Sequence, residues 1–459
     1  MSMGRRKPEM QGQMFVAVAD LPAAGHPFYE KLNDALRALG FDRRVEERCR
    51  GFYDHSGKGG RPSIPPGVYF RMFLIGYFEG IDSERGIAWR VADSLSLRRF
   101  LGYDLTSATP DHSSLSRIRD RLDQETHGEV FKMVLLALRE AGLLKGRTIG
   151  VDATTLEANA ALRSIVRKDT GQSYQEYLEQ LAKAAGIENP TKSDLAKLDR
   201  KRPKKGSNEQ WEHPHDPDAK IAKMKDGSTH LAHKAEHVVD LESGALLGVT
   251  LHEANKGDTQ TVQKSVEAAF DQVSEAIEST GEALPEKLFE EIVTDKGYHG
   301  NACLQTLQED LGLRTYVSEP DRGRRNWKRH PDEVRRAVYA NRRRVKGDRG
   351  KAMQRMRGEK LERSNAHLYE TGAMRRTHLR GHENIMKRLI VHAAAFNLGL
   401  LLRKIIGIGK PRRLQDFPGL LLALILWFHH LVAGHQSVHG RRADHLGEPS
   451  RLQAGEMGL

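Results

Sequence analysis

The sequence predicts an α/β chain (α+β in its segregation), with a catalytic region built on a mixed sheet and an all-helical region ahead of it. Three observations carry this. Residues up to about 144 read almost entirely as helices. Two short apolar, β-like runs, Thr148 to Asp152 and Ile292 to Asp295, each end in an aspartate. Around them, strand-like and helix-like segments alternate in the way that α/β layers require. At 459 residues the chain is long enough for a sizeable core and suggests roughly three domains, or two with long insertions.

In the helical region, Ile64 to Phe78 opens on Pro65 and Pro66 and is apolar on nearly all sides, which predicts a buried helix with prolines in its first turn. Ser83 to Val91 and Ser94 to Leu101 show helical period on either side of a polar turn, a helix-turn-helix-like pair. Pro110 to Leu122 offers Asp111 and Ser113 as N-caps of an amphipathic helix whose outer face carries arginines suited to phosphate contact. A further helix, Glu129 to Ala141, leads into the Asp152 strand.

After that strand the composition turns charged and helix-prone from about residue 160 to 228, around Lys201-Arg202-Pro203-Lys204-Lys205, which reads as an insertion or flexible arm. Its His213 and His215, even with His230, His233 and His237, fit no strong zinc-ligand spacing. A hairpin follows, Thr229 to Asp240 and Ala245 to Leu251 about a Glu242-Ser243-Gly244 turn. Then come a helix (Thr259 to Ser279), the strand Lys287 to Thr294, a helix (Asn301 to Leu311) and a short strand ending at Val317. The order strand, hairpin, helix, strand, helix, strand, helix is that of the ribonuclease H-like fold. There the ends of the first and fourth strands lie side by side, so Asp152 and Asp295 would meet across about 143 positions of sequence. Two ionised carboxylates so placed repel unless a divalent cation lies between them. A metal site needs a further carboxylate, and the helix around Met353 to His367 supplies Glu359 and Glu362, three apart and pointing in similar directions.

The charge balance points to the partner. A net charge of +12, a pI near 9.5 and 29% charged residues favour a polyanion. Between the last strand and the glutamate helix lies the densest basic stretch, residues 321–351, with Arg324, Arg325, Lys328, Arg329, Arg342, Arg343 and Arg344 among its cations and Trp327 and Tyr339 as stacking surfaces. Cys49 and Cys303 suggest no metal knuckle and fit a reducing, cytoplasmic compartment. No charged start precedes an apolar stretch of the secretory kind, and Leu420 to Phe428 is too short to span a bilayer. The helix His382 to Leu398 carries an apolar stripe for packing on the sheet, and residues 407–459 form a tail that is either a packing segment or an altered end.

In order along the chain, Gly150-Val151-Asp152-Ala153-Thr154, Asp218 to Gly227, Ala254-Asn255-Lys256-Gly257-Asp258-Thr259, Thr294-Asp295-Lys296-Gly297-Tyr298 and Leu361-Glu362-Arg363-Ser364 resemble the DDE transposases of bacterial insertion sequences. Gly59-Gly60-Arg61-Pro62 and Asp111-His112-Ser113 resemble their InsH-like N-terminal domain; the likeness covers about residues 40 to 405. It implies that Asp152, Asp295 and Glu362 are the catalytic, metal-holding triad, with Arg355 and Arg363 beside the glutamate, while Asn365 stands where an aromatic is more usual. Three such carboxylates would hold two Mg2+ or Mn2+ ions for cleavage and strand transfer. Lys296 and Tyr298 would face the scissile phosphate or flanking DNA. The resemblance also implies double-stranded DNA as partner (terminal inverted repeats and target) and a homo-oligomer on DNA. The expected layout is a DNA-end-binding region 1–144, a catalytic region 145–406 and the tail. A stand-alone nuclease and an inactive DNA-binding remnant or regulator are the alternatives.

Overall fold

The computed structural model of the chain describes residues 25–53, 63–202, 206–224, 226–321, 323 and 325–411. Arg324 and the tail beyond residue 411 lie outside the described residues. The described residues through Gly409 belong to one compact unit.

Helices lead: α1 (Pro27–Ala38), α2 (Phe41–Cys49), α3 (Pro66–Glu79), α4 (Glu84–Ala92), α5 (Leu95–Leu101), α6 (His112–Arg121) and α7 (Gln124–Glu140). The sequence sets their starts. Side chains of Ser83, Ser94, Asp111 and Asp123 accept hydrogen bonds from first-turn amides of α4, α5, α6 and α7, which satisfies donors that a helix cannot pair internally. Helix α3, apolar all round, is buried from Tyr69 to Phe78. Apart from Glu79 at its C-terminal end, its charged residue is Arg71, tolerated within the buried stretch because its guanidinium pairs with Asp42 and lies 5.2 Å from the Phe41 ring centroid.

The remaining elements are β1 (Thr148–Glu157), β2 (Val166–Arg167), α8 (Tyr174–Ala184), α9 (Lys192–Lys201), β3 (Trp211–Glu212), β4 (Lys220–Lys223), β5 (Thr229–Asp240), β6 (Leu246–Glu253), α10 (Asp258–Glu278), β7 (Glu291–Thr294), α11 (Asn301–Gln305), β8 (Arg314–Val317), α12 (Asp332–Lys346), α13 (Asp348–Asn365) and α14 (His382–Ile406). The central sheet runs β6-β5-β1-β7-β8. Its first three strands are antiparallel and β1, β7 and β8 parallel, while β4 pairs with the start of β5. This is the ribonuclease H-like arrangement. The described residues of the stretch expected as an insertion or flexible arm, which leave out 203–205 and 225, are folded: α8 and α9 start on capping boxes at Ser173 and Thr191, and Trp211 packs with Ile165, Ala158 and Leu231, the last two tying it to the sheet.

Helix α10 packs on β6, β5 and β1, and α13 on β1, β7 and β8. Helix α14 packs against both β6 and the N-terminal helices α3 and α7. By length and composition it could cross a membrane, but 72% of its most apolar window is buried within the protein, as in the core helix of a folded chain. The outer edges of β6 and β8 are each met at one residue by a buried asparagine. Asn397 of α14 accepts from Leu246 N at 2.9 Å and donates to Leu246 O at 2.8 Å. Asn341 of α12 does the same for Val317, at 2.9 and 2.8 Å. Each amide thus stands in for the strand that an edge lacks.

Candidate active site

Strands β1 and β7 pair in register as Thr148 with Glu291, Ile149 with Ile292 and Gly150 with Val293. The same offset carried two residues further, one residue past the end of β7, brings Asp295 beside Asp152 on the α13 side of the sheet. Asp152 is not a strand end, as the sequence suggested: β1 continues to Glu157 against β5, and only the parallel ladder stops, because β7 ends at Thr294. Both aspartates are half-buried. Burial and the neighbouring Asp295 charge push the Asp152 carboxyl above its ordinary range, against the opposing pull of Arg357 and of a hydrogen bond from Asn365.

Helix α13 lies across this face because Gly150 leaves room for it. A Cβ at Gly150 would come within 2.6 Å of Leu241 Cδ2 and 3.2 Å of Leu361 Cδ1. Gln354 Nε2 donates to the carbonyls of Thr294 (3.2 Å) and Tyr316 (2.6 Å), at the C-terminal ends of β7 and β8. At the other end of α13, Asn365 Nδ2 donates to Asp152 Oδ2 at 2.8 Å. Glu362 and Glu359 are both exposed. At about 100° per residue, Glu362 sits about 60° around the helix from Asn365 and Glu359 about 120°, so of the two Glu362 is nearer the helix face that meets Asp152. Among the described residues no three His, Cys, Asp or Glu side chains are grouped to hold an ion. The pair, not the triad, is assembled.

The donor set nonetheless suits a hard divalent cation. Two carboxylates lie close enough for one charge to act on the other, and Asn365 Oδ1, on the amide that holds Asp152, is buried without a hydrogen-bond partner, a polar atom that a dry packing role leaves unexplained. Asn365 and Arg357 were missed by the sequence reading as members of this site. Their places on α13, three residues after and five before Glu362, are the signal that could have found them.

Past Asp295 the chain turns sharply. Asp295 Oδ1 accepts from Gly297 N at 2.8 Å, and Tyr298 folds under the sheet, where its hydroxyl donates to Glu236 Oε1 at 2.8 Å. Tyr298 is 1% exposed, which corrects its expected place against DNA: an aromatic with a buried acceptor is held in the core. Lys296 remains exposed.

The basic stretch forms α12 and the loop before it. Val334, Ala337, Val338 and Asn341 face inward, and Lys328, Arg329 and Arg343 are exposed, as are Arg355 and Arg363 on α13. Three expected DNA contacts are committed elsewhere. Arg342 grips Glu319 through two 2.8 Å hydrogen bonds, Arg325 pairs with the same carboxylate at 2.9 Å, and Arg344 donates to the Thr315 carbonyl at 2.9 Å. All three brace the end of β8. Trp327 and Tyr339 lie 5.8 Å apart, ring to ring, and Tyr339 is 40% exposed.

Two family models match this chain: a transposase domain (DUF772) over residues 18–121 and a transposase DDE domain over residues 201–398. The second takes in Asp295 and Glu362 and begins downstream of Asp152. No curated protein matches the chain.

Proposed function

The chain belongs to the DDE transposases of insertion sequences, and from that premise we propose that Asp152, Asp295 and Glu362 form the centre that cleaves the element's DNA and joins its ends to a target. The observation that carries this reading is the parallel register of β1 and β7, which ends at Gly150 with Val293 and, carried two residues on, brings Asp152 beside Asp295, whose charge raises the Asp152 carboxyl. Bound between these carboxylates, two Mg2+ or Mn2+ ions would activate water or a 3′-hydroxyl and stabilise the leaving oxygen. The protein's own part is positional. Asp152 is held in β1 and Asp295 at the turn that follows β7, Asn365 orients Asp152, and Glu362 lies three residues before Asn365 on α13. Closing the remaining gap to Glu362 requires α13 to shift or the side chain to turn as DNA phosphate arrives.

Exposed Lys296, Lys328, Arg329, Arg343, Arg355 and Arg363 supply the phosphate-binding face beside this centre, and affinity there falls steeply with salt. The N-terminal helices, to about residue 144, engage the terminal inverted repeats, and a homodimer pairs the two ends. The reaction takes place on DNA in the bacterial cytoplasm. Incubation of the protein with end-labelled DNA carrying the inverted repeats and with target DNA, in Mg2+, tests the reading. Cleavage followed by joining, both lost in Asp152→Ala, supports it. Cleavage without joining identifies a nuclease, and metal-free binding alone identifies a regulator or remnant.

A further inference from the structure

On the face of the sheet opposite α13, a buried lysine sits behind the Asp295 turn. Lys234 of β5 is 5% exposed. Its Nζ lies 2.7 Å from Asp258 Oδ1, 2.9 Å from Thr261 Oγ1 and 3.4 Å from the Lys256 carbonyl, all at the start of α10. Thr261 passes the contact on to Glu236 Oε1 at 3.0 Å, the same oxygen that receives the Tyr298 hydroxyl. A buried ammonium is costly unless each of its protons finds an acceptor, and here the acceptors all belong to elements that touch the turn Asp295-Lys296-Gly297-Tyr298.

The second Asp258 oxygen closes the arrangement. A Cβ built on Gly297 would lie 2.5 Å from Asp258 Oδ2 and 3.0 Å from Asp295 Oδ1. Gly297 has no left-handed backbone to explain it; what it provides is the space in which two carboxylates approach one Cα from different elements. Without a cation at its back, Asp258 would bring an uncompensated negative charge toward Asp295.

We propose that Asp258, held and neutralised by Lys234, is a positioning residue for Asp295: it clamps the turn at Gly297 and so keeps Asp295 in register with Asp152. The inference rests on the reading of Asp295 as a metal-holding carboxylate. It places no metal on Asp258.

The test compares Asp258→Ala, Gly297→Ala, the double variant and Asp295→Asn with the unchanged protein. Four quantities are measured: Mn2+ affinity by electron paramagnetic resonance in the complex with inverted-repeat DNA, the Mg2+ concentration for half-maximal cleavage, DNA affinity without metal, and melting temperature. Loss of a group that orients a metal ligand typically costs about 10- to 100-fold in metal affinity. Asp258→Ala and Gly297→Ala should each weaken Mn2+ binding and raise the Mg2+ requirement about tenfold, with DNA affinity within about twofold. In the Asp258→Ala background the added methyl at 297 has lost its closest neighbour, so Gly297→Ala should then cost much less than in the unchanged protein. A purely structural role lowers melting temperature without moving the metal requirement, and that result overturns the proposal, as does strict additivity of the two substitutions. If Asp295→Asn abolishes Mn2+ binding while Asp258→Ala leaves it intact, the clamp is wrong and the metal site stands. If Asp295→Asn itself binds Mn2+ and cleaves normally, the underlying assignment of Asp295 fails, and the clamp falls with it.

Discussion

Replacing Asn341 by alanine asks whether a single amide closes the outer edge of the sheet. Asn341 is fully buried, and its side chain pairs both backbone groups of Val317, the last residue of β8, at 2.9 and 2.8 Å. Alanine leaves that amide and that carbonyl buried without partners. At about 1 to 3 kcal/mol for each orphaned group, the cost is roughly 2 to 6 kcal/mol, less whatever water can recover at the edge. Hydrogen exchange at Val317 reads this locally and the urea midpoint reads it globally. Even the lower bound, about 2 kcal/mol, corresponds to roughly a 30-fold loss of protection at Val317 if the edge opens locally. Because α12 carries Arg343 on its outer face, the variant should also bind DNA more weakly. Unchanged protection at Val317, with a stability change below about 0.5 kcal/mol, would refute the claim that Asn341 replaces a missing strand.

Other consequences can be measured alongside. Asp152 prefers the folded state in its protonated form, a preference present below its unfolded pKa and lost as pH rises through its raised folded pKa. In urea melts without metal, the stability of the unchanged protein should therefore fall relative to Asp152→Asn as pH climbs above the ordinary carboxylate range, while Asp152→Asn abolishes cleavage; parallel stability profiles would contradict the raised pKa. Arg343→Ala should reduce the slope of log affinity against log salt by about 0.9 on duplex DNA, whereas Arg342→Ala, whose guanidinium is spent on Glu319, should lower the melting temperature and leave that slope nearly unchanged. Gly150→Ala forces a methyl against Leu241 and Leu361; overpacking of this kind costs typically 1 to 3 kcal/mol, and it should raise the Mg2+ requirement for cleavage by displacing α13.

Local signals were legible where one chemical rule decides the outcome. Ser83, Ser94 and Asp111 announced helix starts, and Pro65 and Pro66 an apolar helix, because capping and proline geometry act over one turn. The strand order was legible because alternating elements leave few ways to build a sheet. The exact place of Asp152 was not: its strand runs on through Ala153 to Glu157 against β5, while the parallel ladder with the shorter β7 stops at Gly150 with Val293, two residues before it. Charge runs do not show which cations the fold itself engages, for a related reason. Arg325, Arg342 and Arg344 look the same in sequence as Lys328, Arg329 and Arg343, yet Glu319 and the Thr315 carbonyl claim the first three. Tyr298 went the same way, since the buried Glu236 that accepts its hydroxyl lies 62 residues upstream. The charged stretch after β1 folds around Trp211, one aromatic that its polar composition concealed.

The arrangement of Asp152, Asp295 and Glu362 is tested most directly by anomalous diffraction from crystals of the protein with inverted-repeat DNA and Mn2+. Mn2+ peaks should be ligated by Asp152 and Asp295, with Glu362 completing the set and Glu359 left in solvent. Mn2+ bound away from the two aspartates, or ligated by Glu359 with Glu362 free, would contradict it.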